Sequence, residues 1–294
     1  MDLTGRPEPP GPSPWDGLPE KDHAEPAEPV ELPVAVGGVL TPATLVGAYR
    51  RGLFPFPVPV DDPIEVADTH RRLATAVADG RVFNLSGDGP PDLDFPWWCP
   101  DPRGVLPVGA VHVSDSLFRR MRACAWTTTL DEAFAEVVRG CSRGGRPTWI
   151  TPELADAYRD LHRLGWAHSV EVWQGEDLIG GMFGVLVGAA FMAESMFHVQ
   201  TDASKVALVD FDVRFVQAGG RLIDAQFVSA HAGSMGAVEI PRERFLAVLR
   251  DVRDTDVRLV RDRMPVTRLV ERARAARRAR RSMAVPPPAA RGEQ

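Results

Sequence analysis

The strongest constraint on the fold is a series of apolar, β-favouring runs between Trp149 and Pro241 that short turns separate. Such runs, rich in Val, Ile, Phe and Trp, are typical of strands, and short glycine-containing turns join antiparallel neighbours. The clearest turn is at Gly188-Ala189. We expect strands over 168–173, 177–186 and 190–197, a helix over 204–218 and a further strand over 222–228. With the helices that precede this stretch, the pattern predicts an α+β fold with a mixed sheet.

Polar side chains interrupt two of these apolar runs. Asp224 and Gln226 stand two residues apart in the last strand, so both are expected to project from one face. Glu194 lies inside the run 191–197, where an unpaired carboxylate is costly and needs a cationic partner, a hydrogen-bond donor or a ligand. One interpretation is a site formed by all three side chains. In the other, the Asp-Gln pair faces solvent on an edge strand, and Glu194 makes a salt bridge with Lys205 or an arginine.

Lys205 is the only lysine after Lys21 in a chain that otherwise uses arginine at its basic positions. A compact ammonium, rather than a guanidinium fork, is therefore suited to this position. The residue falls in the first turn of the predicted helix, with Ser204 as the expected cap, where the backbone N–H groups and the helix dipole favour an anion or a polarised oxygen. The alternative is an ordinary exposed lysine.

Two further side chains near these runs have open roles. Trp149 stands just before Thr151-Pro152, a pair that predicts the start of a helix. Its ring either stacks on a base or another aromatic ligand, or belongs to the core. Ser195 follows the strand glutamate, but no histidine is placed to activate it, so a serine nucleophile is not expected.

The composition argues against several classes of protein. Cys99, Cys124 and Cys141 are unevenly spaced and odd in number, which implies neither a disulfide framework nor a Cys-x-x-Cys metal site. The acidic, proline-rich start has no positive segment followed by an apolar one, so no secretory signal is expected. The longest apolar run, 179–193, is too short to span a bilayer. We therefore expect a cytoplasmic protein that binds neither a membrane nor a metal.

The net charge of −6 is unevenly distributed along the chain. Residues 1–31 hold eight acids and two basic residues, with few large apolar side chains, and are expected to be disordered. Residues 258–294 hold eleven arginines and three acids. A mildly acidic body with a basic tail does not by itself predict nucleic-acid binding, although a localised basic patch is compatible with it.

A set of short motifs occurs in order over roughly residues 36–250. They are A-Y-R-R-G-L-F-P, W-W-C-P-D-P-R-G-V-L, T-W-I-T-P, H-S-V-E-V-W, G-G-M-F-G-V, E-S-M-F, D-A-S-K-V-A-L, L-I-D-A-Q and G-A-V-E-I-P-R. Taken together they resemble the leucyl/phenylalanyl-tRNA–protein transferases, the bacterial aminoacyltransferases of the N-end rule. So many matches in one order are not expected by chance.

That resemblance implies a small N-terminal domain followed by a C-terminal domain of the GNAT (acyl-CoA N-acyltransferase) type. On this chain we place the small domain at 32–104, with a long insertion at 58–95, and the GNAT-like catalytic domain at 105–250. Residues 1–31 are then an acidic tail, and residues 251–294 are an Arg-rich tail that is expected to be largely disordered.

The resemblance also implies an activity and its partners. Proteins of this family move Leu or Phe, and less readily Met, from aminoacyl-tRNA to the α-amine of proteins that begin with Arg or Lys, which creates an N-degron. The ester of aminoacyl-tRNA is already activated. The resemblance therefore implies no cofactor, no metal, no ATP and no acyl-enzyme.

The resemblance further implies roles for particular residues. Asp224 and Gln226 match the catalytic Asp-x-Gln, and Glu194 matches the strand glutamate that helps to hold the N-terminus of the acceptor. The other candidates for substrate binding are Trp149 at the rim, Phe56 near the terminal adenosine, Met182, Phe191, Met196 and Phe211 around the aminoacyl side chain, and Ser195 and Lys205 beside them.

Three features depart from the family's pattern. Phe56 stands where the family's F-P-W motif has tryptophan, His198-Val199 replaces serine and arginine, and the segment between Phe56 and Trp97 is longer. The alternative functions are a paralogue with another acceptor, a tRNA- or N-degron-binding protein without catalysis, and a GNAT-like acyltransferase that uses acyl-CoA. Against the last, the turn at 198–203 lacks the glycine-rich cradle that such enzymes place before this helix.

Overall fold

The computed structural model describes residues 7, 11–18, 32–57, 63–87, 89–142 and 148–274. The helices are α1 Pro42–Arg50, α2 Pro63–Ala78, α3 Asp115–Ala123, α4 Phe134–Ser142, α5 Pro152–Arg163, α6 Ala203–Gln217, α7 Ala230–Ser234 and α8 Arg242–Val252. The strands are β1 Ala35–Val36, β2 Phe54–Pro55, β3 Phe83–Asn84, β4 Pro96–Trp98, β5 Arg103–Leu106, β6 Thr127–Leu130, β7 Ala167–Gln174, β8 Asp177–Val187, β9 Ala190–His198, β10 Leu222–Gln226, β11 Val238–Ile240 and β12 Met264–Pro265. Within these residues, no helix combines the length and the apolar composition that crossing a membrane requires.

The larger sheet has the strand order β11-β5-β10-β9-β8-β7-β6-β12. The predicted meander forms its centre, since β7, β8 and β9 are antiparallel neighbours and β10 joins β9 in parallel after α6. Gly188 makes the predicted turn between β8 and β9 at a φ of +58°, a region that favours glycine. The predicted α+β class with a mixed sheet is confirmed.

Helices cover both faces of this sheet, so its central strands are buried on both sides. Alternate residues of β8 point to opposite faces. Phe183 and Val185 belong to a core shared with α1, α4, α5 and α8, whereas Met182 and Leu186 belong to a core shared with α3 and α6. A polar side chain on the middle strands therefore lies in a dry interior, where it needs a hydrogen-bonding partner.

The smaller sheet, in the order β2-β4-β1-β3, lies in the N-terminal part of the chain. The structure differs here from the disorder expected for 1–31, because residues 11–18 pack on this sheet and on α1. Trp15 is buried, with its ring 5.4 Å from that of Trp97, and its Nε1 donates to the carbonyl oxygen of Thr44 at 2.9 Å. One buried tryptophan ring stabilises the short segment around it, an effect that average composition does not show. Other residues of 1–31, apart from residue 7, lie outside the described part of the chain.

Part of the insertion at 58–95 is helical. Helix α2 begins at Pro63 and runs to Ala78. Leu73 and Ala76 on α2 form a small core with Val36 and Val82. The insertion therefore adds a helix and strand β3 to the smaller sheet, with β3 parallel to β1.

Residues 251–274 also differ from the expected Arg-rich, largely disordered tail. Strand β12 pairs with β6, and a helical turn over 266–268 is followed by helical residues 269–274. Val266, Leu269 and Val270 are buried against α3 and α6. Residues 275–294, the rest of the predicted tail, lie outside the described residues.

One arginine of this region, Arg268, pairs with a buried acid of α6. Asp210 on α6 is fully buried and pairs with Arg214 one turn later, at 2.7 Å, and with Arg268 from the C-terminal segment. Arg214 also donates to the carbonyl oxygens of Val260 and Asp262. We call Asp210, Arg214 and Arg268 the C-terminal clasp, because these residues hold the C-terminal segment on α6.

Candidate active site

Asp224 lies in a buried ion pair between two strands. Arg103 on β5 donates to both carboxylate oxygens, at 2.8 Å from Nε and 2.5 Å from Nη2, and both residues are fully buried. The guanidinium lies 4.8 and 4.4 Å from the ring centroids of Phe54 and Phe245. Burial acts to lower the pKa of Arg103, but the charge and hydrogen bonds of Asp224 leave that pKa raised. The alternative in which Asp224 faces solvent on an edge strand is wrong, because β10 lies between β5 and β9.

Gln226 ends β10 in a conformation that a regular strand does not have. Its φ is +60°, and the register between β10 and β5 shifts between Asp224 and Gln226. A left-handed backbone costs about 1–3 kcal/mol for a residue with a side chain. The Gln226 N–H donates to Asp224 Oδ1 at 2.9 Å, which stabilises this conformation. Asp224 thereby fixes the backbone from which the Gln226 side chain extends.

Glu194 receives hydrogen bonds from neutral donors. Gln226 Nε2 donates to Oε1 at 3.1 Å, and the Tyr158 hydroxyl donates to Oε2 at 2.9 Å. The alternative of a salt bridge with Lys205 or an arginine is wrong within the described residues, where Lys205 Nζ instead lies 3.3 Å from Asp202. Arg103 is near enough to act on Glu194 electrostatically, but its hydrogen bonds go to Asp224, so the direct partners of Glu194 are neutral.

The consequence is a carboxyl group that titrates near neutral pH. Burial raises the pKa of Glu194 to about 7, against the hydrogen bonds from Tyr49, Tyr158 and Gln226, and the Asp224 charge adds to the increase. Groups with such shifted pKa values are concentrated at functional sites. Sequence reasoning therefore placed Asp224, Gln226 and Glu194 correctly as neighbours, and only the structure shows that their environments differ.

Both tyrosines of the chain belong to this hydrogen-bond network, and sequence reasoning missed them. Tyr49 on α1 and Tyr158 on α5 are fully buried, with their hydroxyl oxygens 2.9 Å apart. Burial and the Glu194 charge raise the pKa of each tyrosine well above its ordinary value, so both remain neutral donors. Their rarity was the available signal, because the sequence contains two tyrosines in 294 residues.

A cavity of about 240 Å³ opens beside this network. Its apolar wall includes Met182, Met196, Leu208 and Met235, and Glu194 is one of its polar groups. Methionine side chains are flexible and polarizable, so such a wall adapts to apolar groups of different shape. The arrangement fits an apolar side chain held beside a carboxyl group.

The four residues predicted for the aminoacyl pocket fall into two pairs. Met182 and Met196 line the cavity. Phe191 and Phe211 do not line it; their rings are 3.9 Å apart and are fully buried in the core between the sheet and α6, together with Phe215. Ser195 lines the cavity as well, and the structure places no histidine on its hydroxyl among the hydrogen bonds of the described residues.

An aromatic rim lies at the junction of the two sheets. Phe56 is half-buried, with its ring 5.7 Å from Trp149 and 6.2 Å from Phe227. Trp149 in turn meets Tyr158 edge-on, with centroids 6.5 Å apart. The structure therefore brings Trp149, predicted for the rim, and Phe56, predicted near the terminal adenosine, together beside Tyr158 of the Glu194 network. Phe227, which the sequence analysis did not single out, joins the rim and also lines the cavity.

Lys205 lies close to the cavity without lining it: burial and then the charge of Lys205 lower the pKa of His231, which is part of the wall. Helix α6 begins at Ala203 with Asp202 as its N-cap, at a φ of +74° and without a side-chain cap. The expected cap at Ser204 is wrong, since its hydroxyl is buried 3.4 Å from His198 Nδ1. Lys205 is not among the cavity-lining residues of the described chain, and its ammonium lies beside Asp202.

Comparison with known proteins supports the resemblance. Residues 105–250 match the model of a family described as leucyl/phenylalanyl-tRNA protein transferase. A protein of that name from Proteus mirabilis (strain HI4320) is 40% identical over 216 residues, which are 74% of this chain and 80% of the relative. The one from Nitratidesulfovibrio vulgaris (strain DP4) is 42% identical over 236 residues, 79% of this chain and 87% of the relative. The one from Edwardsiella ictaluri (strain 93-146) is 42% identical over 221 residues, 75% of this chain and 78% of the relative.

Proposed function

The chain belongs to the leucyl/phenylalanyl-tRNA protein transferase family, and on that premise we propose that it is a cytoplasmic enzyme that transfers Leu, Phe and less readily Met from aminoacyl-tRNA to the α-amine of proteins that begin with Arg or Lys. The observation that carries the proposal is the hydrogen bond between Gln226 and Glu194 beside an apolar cavity. It puts a polar, titratable pair next to a pocket for an apolar side chain.

The cavity takes the side chain of the donor amino acid. Met182, Met196, Leu208 and Met235 offer an adaptable apolar wall, and the volume of about 240 Å³ leaves room for a leucyl or phenylalanyl group. A methyl group on Cβ, as in Val or Ile, would meet the entrance of the pocket instead of its depth. One misplaced methyl group changes selectivity by ~1–3 kcal/mol, so the preference for Leu over Val is expected to be strong but incomplete.

Glu194 and Gln226 receive the acceptor amine. Because Gln226 Nε2 donates to Glu194, the amide oxygen of Gln226 is directed away from that carboxylate and accepts an N–H from the incoming amine. Glu194, with a pKa of about 7, pairs with the α-ammonium of the acceptor and takes its proton. The ordinary pKa of an α-amino group is about 7.7–8.0, so this transfer is nearly balanced in free energy.

The neutral amine then attacks the ester carbon of aminoacyl-tRNA. A new N–C bond forms, the C–O bond to the terminal ribose breaks, and the ribose oxygen leaves as a hydroxyl group with a second proton from the attacking nitrogen, which becomes the amide nitrogen. Because the ester is already activated, positioning of the two reactants accounts for much of the acceleration. Asp224 contributes as a positioning residue, since Arg103 and the Gln226 N–H occupy its oxygens.

The environment of α6 disfavours the acyl-CoA alternative. A GNAT-like enzyme places a pyrophosphate at the N-terminus of the helix that follows its central strands. Here Asp202 is the N-cap of α6, and its carboxylate is largely buried at that end. Lys205 already pairs with that carboxylate at 3.3 Å, so a pyrophosphate there would have to compete with Asp202 for the ammonium.

The test is a transfer assay with purified protein. Radiolabelled Leu-, Phe-, Met- and Val-charged tRNA are each incubated with peptides that begin with Arg, Lys, Asp or N-acetylated Arg, and acetyl-CoA replaces the tRNA in a parallel reaction. We expect transfer from the first three donors to the Arg and Lys peptides, and little transfer from Val. Transfer from acetyl-CoA, or equal transfer to all free N-termini, would contradict the proposal.

A further inference from the structure

Phe227 is a large aromatic side chain that the fold leaves 45% exposed. The other strongly exposed large apolar side chains of the described residues are valines and one isoleucine. Phenylalanine is usually buried in a folded protein, so one that is left half in solvent beside a reactive group is expected to contact a ligand. Its position, directly after Gln226, places it at the reaction centre.

The backbone holds this residue in one place. Gln226 turns the chain out of β10 at a φ of +60°. On the facing strand, a Cβ at Gly104 would lie 2.8 Å from the Phe227 carbonyl carbon, so glycine is needed there for the bulged chain to pass. Phe227 is therefore fixed by the same Asp224 hydrogen bond that positions Gln226.

The ring of Phe227 connects two features of the site. It meets Phe54 at 5.7 Å and an interplanar angle of 84°, and Phe56 at 6.2 Å and 63°. It also lines the cavity with Glu194 and Met196. A donor whose acyl side chain fills the cavity and whose ester lies at Gln226 must direct its terminal nucleoside outward past this ring. The flat group nearest to the ester is the adenine base, which ends every tRNA.

We propose that Phe227 is a donor-positioning residue whose ring packs against the terminal adenosine of aminoacyl-tRNA and, with Phe56, forms the surface on which that base rests. The inference depends on the proposed transferase function. Removal of an aromatic ring that stacks on a base typically weakens binding by about 5- to 100-fold. A residue that positions the donor is expected to change donor binding, and to leave the acceptor peptide unaffected.

The experiment measures binding separately from transfer. The dissociation constant of 3′-leucylamino-3′-deoxyadenosine, whose amide link is not transferred, is determined by calorimetry for the wild type, Phe227→Leu and Phe227→Trp. The same compound without the adenine base is the second ligand. Phe95→Leu, a half-buried phenylalanine of the N-terminal part that belongs neither to the rim nor to the cavity lining, is the matched control.

We expect Phe227→Leu to weaken binding of the adenosine compound about 10-fold, Phe227→Trp to bind as well as the wild type or better, and the control to be unchanged. With the base-free compound, wild type and Phe227→Leu should bind equally. In transfer assays, Phe227→Leu should raise the KM for leucyl-tRNA by a similar factor and leave the KM for the peptide unchanged. Circular dichroism and Tm show whether the variants fold. If Phe227→Leu does not fold, Phe227→Trp still tests the proposal.

Different outcomes separate the two proposals. Equal affinity of wild type and Phe227→Leu for the adenosine compound would overturn the role of Phe227, as would a defect that persists with the base-free compound. A change in the KM for the peptide alone would assign the ring to the acceptor. A wild type that binds the compound but transfers no leucine from tRNA would overturn the proposed function and leave the base contact standing.

Discussion

The active site and the C-terminal clasp each bury carboxylates, yet they satisfy them in opposite ways. In the clasp, Asp210 is enclosed by the guanidinium groups of Arg214 and Arg268. In the active site, Glu194 is enclosed by hydroxyl and amide donors, without an ion pair in the described residues. The first arrangement is an ion pair that holds elements of the fold together, and the second leaves an acid able to exchange a proton near neutral pH.

The difference shows how one chain uses the same residue type for stability and for chemistry. A charge pair in a dry interior holds its elements together, because loss of either partner leaves an uncompensated charge. A carboxyl group among neutral donors costs stability in its ionised form, and the gain is a pKa close to working pH. Asp224 belongs to the first kind because Arg103 pairs with it, although Asp224 also accepts the backbone N–H of Gln226 at 2.9 Å.

The largest expected effect is on the clasp. Arg214→Ala removes one of the two cations paired with buried Asp210 and the donor to the carbonyl oxygens of Val260 and Asp262. It is expected to lower the free energy of unfolding by about 3–5 kcal/mol. Chemical denaturation measures it, with Arg221→Ala, an exposed arginine paired with Asp251, as the control that should change stability by less than about 1 kcal/mol. The folded fraction of Arg214→Ala should keep its turnover. A stability equal to that of the control would mean that the clasp is not what holds the C-terminal segment.

In contrast to Arg214→Ala, Glu194→Gln should raise the free energy of unfolding. The folded protein keeps Glu194 protonated up to a pKa of about 7, whereas the unfolded chain ionises it near its ordinary value of 4.5. Between these values the folded state binds more protons, so this group lowers stability as pH rises, by on the order of 3 kcal/mol in total. Glu194→Gln should therefore be more stable than the wild type above pH 7, and Glu239→Gln, an exposed glutamate on β11, should not.

The same variant tests the proton acceptor. Wild-type transfer at limiting acceptor concentration should rise with pH through about 7, and that rise should disappear in Glu194→Gln along with most of the activity. Denaturation and rate profiles between pH 5 and 9 provide both measurements. An unchanged rate profile would assign proton acceptance to another group.

Gln226→Ala isolates chemistry from binding. Loss of one positioned hydrogen-bonding group is expected to lower turnover by about 10²-fold, while aminoacyl-tRNA binds nearly as before. Single-turnover rates and tRNA affinity measure the two effects, with Gln217→Ala, exposed at the end of α6, as the control. A rate for Gln226→Ala equal to that of the control would refute the assignment.

The smallest effect is expected from the Arg-rich tail. Truncation after Arg274 keeps the clasp but removes five arginines, which we expect to contact tRNA phosphates without specifying which tRNA is bound. Each lost contact should lower the slope of log affinity against log salt by about 0.7–0.9. A variant with the five arginines changed to glutamine keeps the length of the chain as a control. If the affinity for tRNA and its salt dependence are both unchanged, the tail does not contact tRNA and serves as a solubilising segment.

The sequence by itself determined the fold class, the central meander, and the grouping of Asp224, Gln226 and Glu194. These features are local. Strand periodicity and turns depend on neighbouring residues. A polar side chain inside an apolar run indicates that it needs a partner, but not which residue that partner is. The family motifs added the chemistry, and the comparisons confirmed the family.

The tertiary structure decided which partner each polar group received. Arg103 and Asp224 are 121 residues apart in sequence and Tyr49 and Tyr158 are 109 apart, so nothing local couples them. It also decided that Met182 and Met196, and not the aromatic pair predicted with them, line the cavity. The physical reason is that the environment of a buried charge is set by the elements packed around it, and those meet only when the whole chain has folded.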